Sequence, residues 1–273
     1  MAPCEVSRPP HERPIAGVDS PRHTPEWQFN AIQGATVDGG AWLRHLNADA
    51  ELLVRGGRLL RGRGYDDAPP AMRRELARTG AILRLRQRHR YHIHAAGIVD
   101  PAGRAYLLAG CTGSGKSTLA YAAARLGWRV LGDDGVIVEI AGDRTTALGW
   151  HEPLRVSTTL AREFPELANG PGAPLAGDAR QRTAIPMPTC RRAMMGALVW
   201  VQQGTHDRLE RVAPADALIE LVRQSAWVLI ADGRATAHLD ALSRIATHVP
   251  SFRLVHSSAQ LQVIDQTLLS TQA

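Results

Sequence analysis

The chain has 273 residues, enough for one large domain or a domain with a small appendage. Its apolar fraction of 44% is that of a globular protein, and no apolar run approaches the roughly 18 residues of a membrane helix. The net charge of +6 comes from scattered arginines rather than a dense basic block, and no helix-turn-helix pattern is visible, which argues against nucleic acid as a partner. Cys4, Cys111 and Cys190 are far apart, so neither a disulfide framework nor a Cys-based metal site is expected. The N-terminus lacks the apolar segment of a signal peptide, and a cytoplasmic location with no membrane partner is the expectation.

Residues 1–28 are rich in proline, arginine and histidine without an apolar period, and read as a flexible arm. Between Ala41 and Arg63 the short apolar runs 52–54 and 59–60 surround Gly56-Gly57, the pattern of a β-hairpin. The run from Asp66 to Pro70 resembles a helix start, and Ala71 to Leu85 carries apolar residues at helical spacing. Residues 29–90 are thus expected to form a small α+β segment packed on a core domain spanning 91–273. Tyr91 to Val99 reads as a strand, and Pro101-Ala102-Gly103 as the turn into a second, Arg104 to Ala109. That hairpin predicts a mixed sheet.

Next comes Gly110-Cys111-Thr112-Gly113-Ser114-Gly115-Lys116-Ser117, a glycine, four residues, then Gly-Lys-Ser: the spacing of a phosphate-binding loop. The glycines let backbone N–H groups crowd against phosphate oxygens. Lys116 offers a compact charge to the β and γ phosphates, and Ser117 a hydroxyl to a phosphate-bound magnesium ion. The alanine- and leucine-rich run 117–126 predicts a helix whose positive dipole end faces the same anion, with Gly127 as its stop. A strand, loop and helix in that order is the context the motif requires. Residues Gly110 to Ser117, with Thr118, form the expected nucleotide-binding set, and ATP with Mg2+ the expected cofactors.

After the helix, Trp128 to Leu131 predicts a short strand ending at Asp133-Asp134, 17 and 18 residues beyond Lys116. Such a strand returns to the phosphate side of the sheet. Because side chains alternate along extended chain, one carboxylate can hold the metal and the other can accept a proton from an incoming hydroxyl. An Asp-Asp-Gly turn with no chemistry, closed by Gly135, is the competing reading. His92 and His94, two apart on the expected strand 91–99, would share a face. A strand histidine is most often a core residue, and His94 gains interest from the adjacent loop. Further along, strands are expected at 136–140, 145–148, 195–202, 209–212 and 252–256. Helices are expected at 158–167, 214–224, 235–248 and from Ser257, and a Gly/Pro-rich mobile loop at 168–178.

The run His94-Ala-Ala-Gly-Ile-Val99, the loop with its leading Leu107-Leu-Ala and trailing Thr118-Leu-Ala, and Gly127-Trp-Arg-Val-Leu-Gly-Asp-Asp134 together resemble the HPr kinase/phosphorylase family and its kinase-like relatives. The resemblance spans about residues 85 to 140 strongly. It implies an α/β fold with a mixed-sheet P-loop kinase core, like the HPr kinase C-terminal domain and phosphoenolpyruvate carboxykinase. It further implies Lys116 as the phosphate lysine, Ser117 and Asp133 as metal ligands, Asp134 as general base toward an acceptor serine, and His94 as the group orienting the transferred phosphoryl. The family's glutamate-arginine-glycine segment corresponds here to 148–155, where Glu152 and Arg155 are candidates for metal and phosphate contacts.

The N-terminal portion does not look like the regulatory domain of the bifunctional enzymes. Smaller relatives phosphorylate a serine on biosynthetic precursor peptides such as lasso peptides, which makes a peptide or protein the expected acceptor. The parent family's hexamers make a homo-oligomer the self-association implied. An arginine among Arg180, Arg182, Arg191 and Arg192 is a candidate to close over the phosphates. A small-molecule kinase and a non-catalytic nucleotide-binding regulator are the alternatives.

Overall fold

The hairpin expected around Gly56-Gly57 is the last turn of a five-stranded antiparallel meander in the computed structural model, which describes residues 23–37, 39–150, 154–156, 158–167, 183–185 and 187–257. The expectations for residues 1–22, Glu152, 168–178, Arg180, Arg182 and the helix after Ser257 lie outside the described residues. The meander comprises β1 (Trp27–Phe29), β2 (Ile32–Val37), β3 (Gly40–His45), β4 (Ala50–Arg55) and β5 (Arg58–Arg61). Residues 27 and 28, read from composition as the end of an arm, pair with β2 together with Phe29, because Trp27 and Phe29 pack against the meander's core.

Helix α1 (Pro70–Arg86) starts on a proline, whose missing N–H is harmless in the first turn, and ends with Arg84 and Arg86 near its negative pole. Leu76 and Leu83 bury against Leu43, Leu52, Val54 and Leu59. Gly80 permits the close approach, since a Cβ there would stand 2.6 Å from Leu52 Cδ2. Strand β6 (Arg90–Ile93) follows.

The chain divides into two compact units, and residues 226–239 join 23–92 in the first. Trp227 and Ile230 enter its core, and the buried Arg86 donates to Asp232 Oδ2 (2.7 Å), the Ile230 carbonyl (3.2 Å) and His238 Nδ1 (3.3 Å).

The second unit contains β7 (Ala95–Val99), β8 (Arg104–Ala109), α2 (Lys116–Arg125), β9 (Arg129–Gly132), β10 (Val136–Ala141) and β11 (Arg144–Gly149). It continues with β12 (Leu154–Val156), α3 (Thr158–Glu163), β13 (Thr183–Ile185), β14 (Arg192–Gln203), β15 (Arg208–Arg211), α4 (Pro214–Gln224), most of α5 (Ala235–His248) and β16 (Ser251–His256). Its main sheet is mixed. Strand β14 runs parallel to β8 and β16, and β7 pairs antiparallel with both β8 and β9. Strand β11 pairs antiparallel with β10 and with the start of β14.

Tyr106, Leu108, Leu119, Ala123, Trp128, Val199 and Leu254 bury α2 against this sheet. Removing the Trp128 side chain would cost about 3–5 kcal/mol. The helix expected at 158–167 is α3 followed by a 3-10 turn over Pro165–Leu167. The strand expected over 91–99 is broken at His94, whose backbone N–H leaves the ladder to donate to the Gln224 carbonyl at 2.8 Å. His92 and His94 therefore do not share a strand face: His92 is buried and His94 half-exposed. Among the described residues no helix is long and apolar enough to cross a membrane.

Candidate active site around residues 94, 110–118 and 133–134

Beyond Ala109 the chain turns through Gly110 (φ 151°), Gly113 (φ 84°) and Gly115 (φ 100°), values that favour glycine. Space excludes larger residues at two of them. A Cβ on Gly110 would lie 2.5 Å from the Val201 carbonyl oxygen, and one on Gly115 would lie 2.7 Å from the His256 ring. At Gly113 a Cβ would meet nothing within 4 Å, so that side of the loop is open. Helix α2 starts directly at Lys116 without a side-chain cap, leaving its first-turn N–H groups and dipole available to an anion.

The Lys116 ammonium folds across the loop and donates to the carbonyls of Gly110 (2.7 Å) and Cys111 (3.1 Å). Burial pulls its pKa below the usual lysine value, while the charges of Asp134 and Asp133 pull it back up. Cys111, Thr112 and Gly113 are exposed, and Ser117 and Thr118 half-buried. Ser114 Oγ is buried without a hydrogen-bond partner among the described residues.

Strand pairing brings the other candidates to the same end of the sheet. Ala95 at the start of β7 is the partner of Ala109 at the end of β8, and Gly97 of Gly132 at the end of β9. The loop and the Asp pair thus leave the carboxyl ends of two strands, with His94 at the amino end of the strand between them. His94 Nδ1 lies 3.2 Å from Asp134 Oδ1. The two acids differ as alternation predicts: Asp133 is 7% exposed, while the Asp134 side chain is 37% exposed. The turn reading of Asp-Asp-Gly is also structurally real. A Cβ on Gly132 would meet the Gly135 carbonyl oxygen at 2.3 Å and that of Trp150 at 2.7 Å, so the chain here is tightly folded. Turn and site coexist.

Arg191 comes near the Asp pair through its backbone: its carbonyl accepts from the Gly149 N–H at 2.8 Å, and Gly149 is the partner of Val136, two residues beyond Asp134. Arg192 begins β14, and Met194 two residues later is the partner of Arg104, at the end of β8 remote from the loop. Arg155 lies on β12, paired with Ala184. Two side chains that sequence reading missed do reach the loop: Gln203 Nε2 donates to the Gly113 carbonyl (2.9 Å), and His256 Nε2 lies 2.8 Å from that of Ser114. A signal for them existed, since both are polar residues at the carboxyl ends of parallel strands, where ligands bind in α/β sheets.

The donor set suits a nucleoside triphosphate with a hard cation. Glycine amides and Lys116 could cradle phosphates, and the Ser117 hydroxyl with the Asp133 carboxylate could take a magnesium ion that keeps several waters. Among the described residues no group of three or more His, Cys, Asp or Glu side chains forms an all-protein metal cage. Such a cage is not what magnesium at a phosphate site uses.

No protein-family model matches the chain, and no curated protein does. Among solved structures it is similar to the Hpr(Ser) kinase/phosphatase from Coxiella burnetii, at 12% identity over 66% of this chain and 95% of that one. The TM-score is 0.32, a distant relation in fold.

Proposed function

We propose that the protein is an ATP- and magnesium-dependent phosphotransferase acting on a hydroxyl, serine on a peptide or protein, with a P-loop kinase core of the HPr kinase kind. One observation carries the reading: the glycine loop, the Asp133-Asp134 pair and His94 converge at one end of β7, β8 and β9, with both carboxylates acting on Lys116. Bound MgATP would supply the transferable phosphoryl group.

The chain's own groups then divide the work. Asp134, half-exposed, is open to an acceptor and takes the proton from its hydroxyl. His94 holds that carboxylate's orientation and adds a polar ring beside it. Lys116 and the amides of 110–118 offset phosphate charge, and buried Asp133 with Ser117 holds the cation. Most of the catalysis in such a site is positioning and charge neutralisation.

The test is transfer from γ-labelled ATP, with Mg2+, to serine-containing peptides, to the same peptides carrying alanine, and to a metabolite pool. Label is expected only in the serine peptides, and Asp134→Asn should slow transfer by about 10^2 to 10^4. Transfer by Asp134→Asn at the wild-type rate would remove the base assignment. Label in metabolites alone would move the acceptor to a small molecule.

A further inference from the structure

Two successive carbonyls of the loop are tied to two neighbouring strand ends. Gln203 ends β14 and His256 ends β16, and the two are Cα partners across the parallel pair. Their side chains therefore leave the sheet on one face, and they reach consecutive peptides: Gln203 the Gly113 carbonyl at 2.9 Å, His256 the Ser114 carbonyl at 2.8 Å. A carbonyl oxygen only accepts, so His256 Nε2 carries the hydrogen.

The histidine is itself held firmly. It is 5% exposed, and its own carbonyl accepts from the Gly204 N–H at 2.9 Å. The next residue, Ser257, donates its N–H (2.8 Å) and hydroxyl (3.0 Å) to Asp207 Oδ1. The imidazole also fills the space a side chain would need at Gly115.

The geometry of the peptide unit gives this contact a consequence. In a planar trans peptide the C=O and the following N–H point in opposite directions, and the described chain has no cis bonds. Holding the Ser114 carbonyl against His256 turns the Gly115 N–H the other way. Holding the Gly113 carbonyl against Gln203 likewise turns the Ser114 N–H back into the loop, where it donates to the Cys111 carbonyl at 3.1 Å. Left to itself, a glycine-rich segment samples both orientations of each peptide, because glycine populates positive and negative φ about equally.

We propose that His256, assisted by Gln203, is a positioning residue for phosphate binding: it fixes the 114–115 peptide so that the Gly115 N–H faces the anion side of the loop. The proposal deepens the nucleotide-binding reading above and rests on it. His256 touches no reacting atom in this account and acts only through the loop.

The experiment is equilibrium binding of MgATP to the full chain by calorimetry, with unfolding midpoints measured alongside. The proteins compared are wild type, His256→Leu, His256→Gln and Gln203→Leu. Leucine fills the space without a donor, whereas the glutamine amide can present an N–H at a similar reach. His256→Leu should weaken MgATP binding roughly five- to tenfold, and His256→Gln should recover most of it. Gln203→Leu, a change at an exposed position, should weaken binding about two- to fivefold with an unchanged midpoint.

Equal affinity in wild type and His256→Leu, or a glutamine variant no better than leucine, would overturn the positioning role while leaving nucleotide binding intact. If His256→Leu fails to fold, His256→Met, which also fills the space without a donor, takes its place, and wild-type affinity in that variant overturns the role. Absence of MgATP binding by the wild type would overturn the underlying reading and this proposal together.

Discussion

Lys116 stands under two opposing influences, and their balance can be measured because it is the only lysine in the chain. Burial disfavours its charged form and is the larger effect, while Asp134 and Asp133 favour that form. The net shift is downward, so at a given alkaline pH more of Lys116 is neutral amine than of an ordinary lysine. Amine-selective acylation, read at Lys116 by peptide mapping, should therefore show a midpoint below 10.5. Asp134→Asn deletes one of the charges that raise the pKa, so its midpoint should fall further. A midpoint that rises in Asp134→Asn would mean that this carboxylate does not act on the ammonium. At this scale the sequence was most legible, because the loop's glycines, Lys116 and the Asp pair are bound to local spacing. Gln203 and His256 were not, since nothing local says which strand ends flank β8.

Element by element, the regular segments could be read from periodicity, and the exceptions have identifiable physical causes. Helix α1, the β4–β5 hairpin, β10, α4, α5 and β16 fall within a few residues of expectation because each is an apolar run, periodic or continuous, bounded by turn or cap residues. The strand over 91–99 is interrupted by one long-range bond, from the His94 N–H to Gln224, which no window of sequence contains. The membership of 226–239 in the first unit is likewise decided at long range, by Trp227, Ile230 and the Arg86 contacts.

That last attachment has a pH signature. His238 stacks on Tyr91 at 4.4 Å between ring centroids and accepts from Arg86. Its burial, with the Arg86 charge beside it, holds its pKa down to about 3, Asp232 opposing. Between the ordinary value of 6.5 and about 3, the unfolded chain binds a proton that the folded chain refuses. Its contribution to stability is thus complete above pH 6.5 and is lost as pH falls through that window, at up to about 1.4 kcal/mol per unit. Urea unfolding at pH 6.5 and pH 5 should differ by about 2 kcal/mol from this group alone. His238→Gln keeps an acceptor for Arg86 but does not titrate, and should flatten the dependence by that amount. An identical slope in wild type and variant would show that His238 titrates normally in the folded protein.

Over the whole molecule, the architecture of the second unit explains how distant stretches of chain become neighbours. A hairpin β7–β8 inserts an antiparallel strand between β8 and β9, so two carboxyl ends and one amino end meet on one side. The mixed character of the sheet could be foreseen from the Pro101–Gly103 turn, whereas the 3.2 Å approach of His94 to Asp134 depends on a register that sequence does not state. Arg192 illustrates the converse. Its charge made it a candidate phosphate ligand, yet it begins β14 two residues before Met194, the partner of Arg104 at the end of β8 remote from the loop.

The most direct measurement is the acylation of Lys116 at fixed pH, with and without saturating nucleotide. MgATP occupying the loop should suppress labelling by at least about tenfold, and AMP, which lacks the β and γ phosphates proposed to face Lys116, should leave it nearly unchanged. Labelling of Lys116 at the same rate in the presence of MgATP would contradict the account.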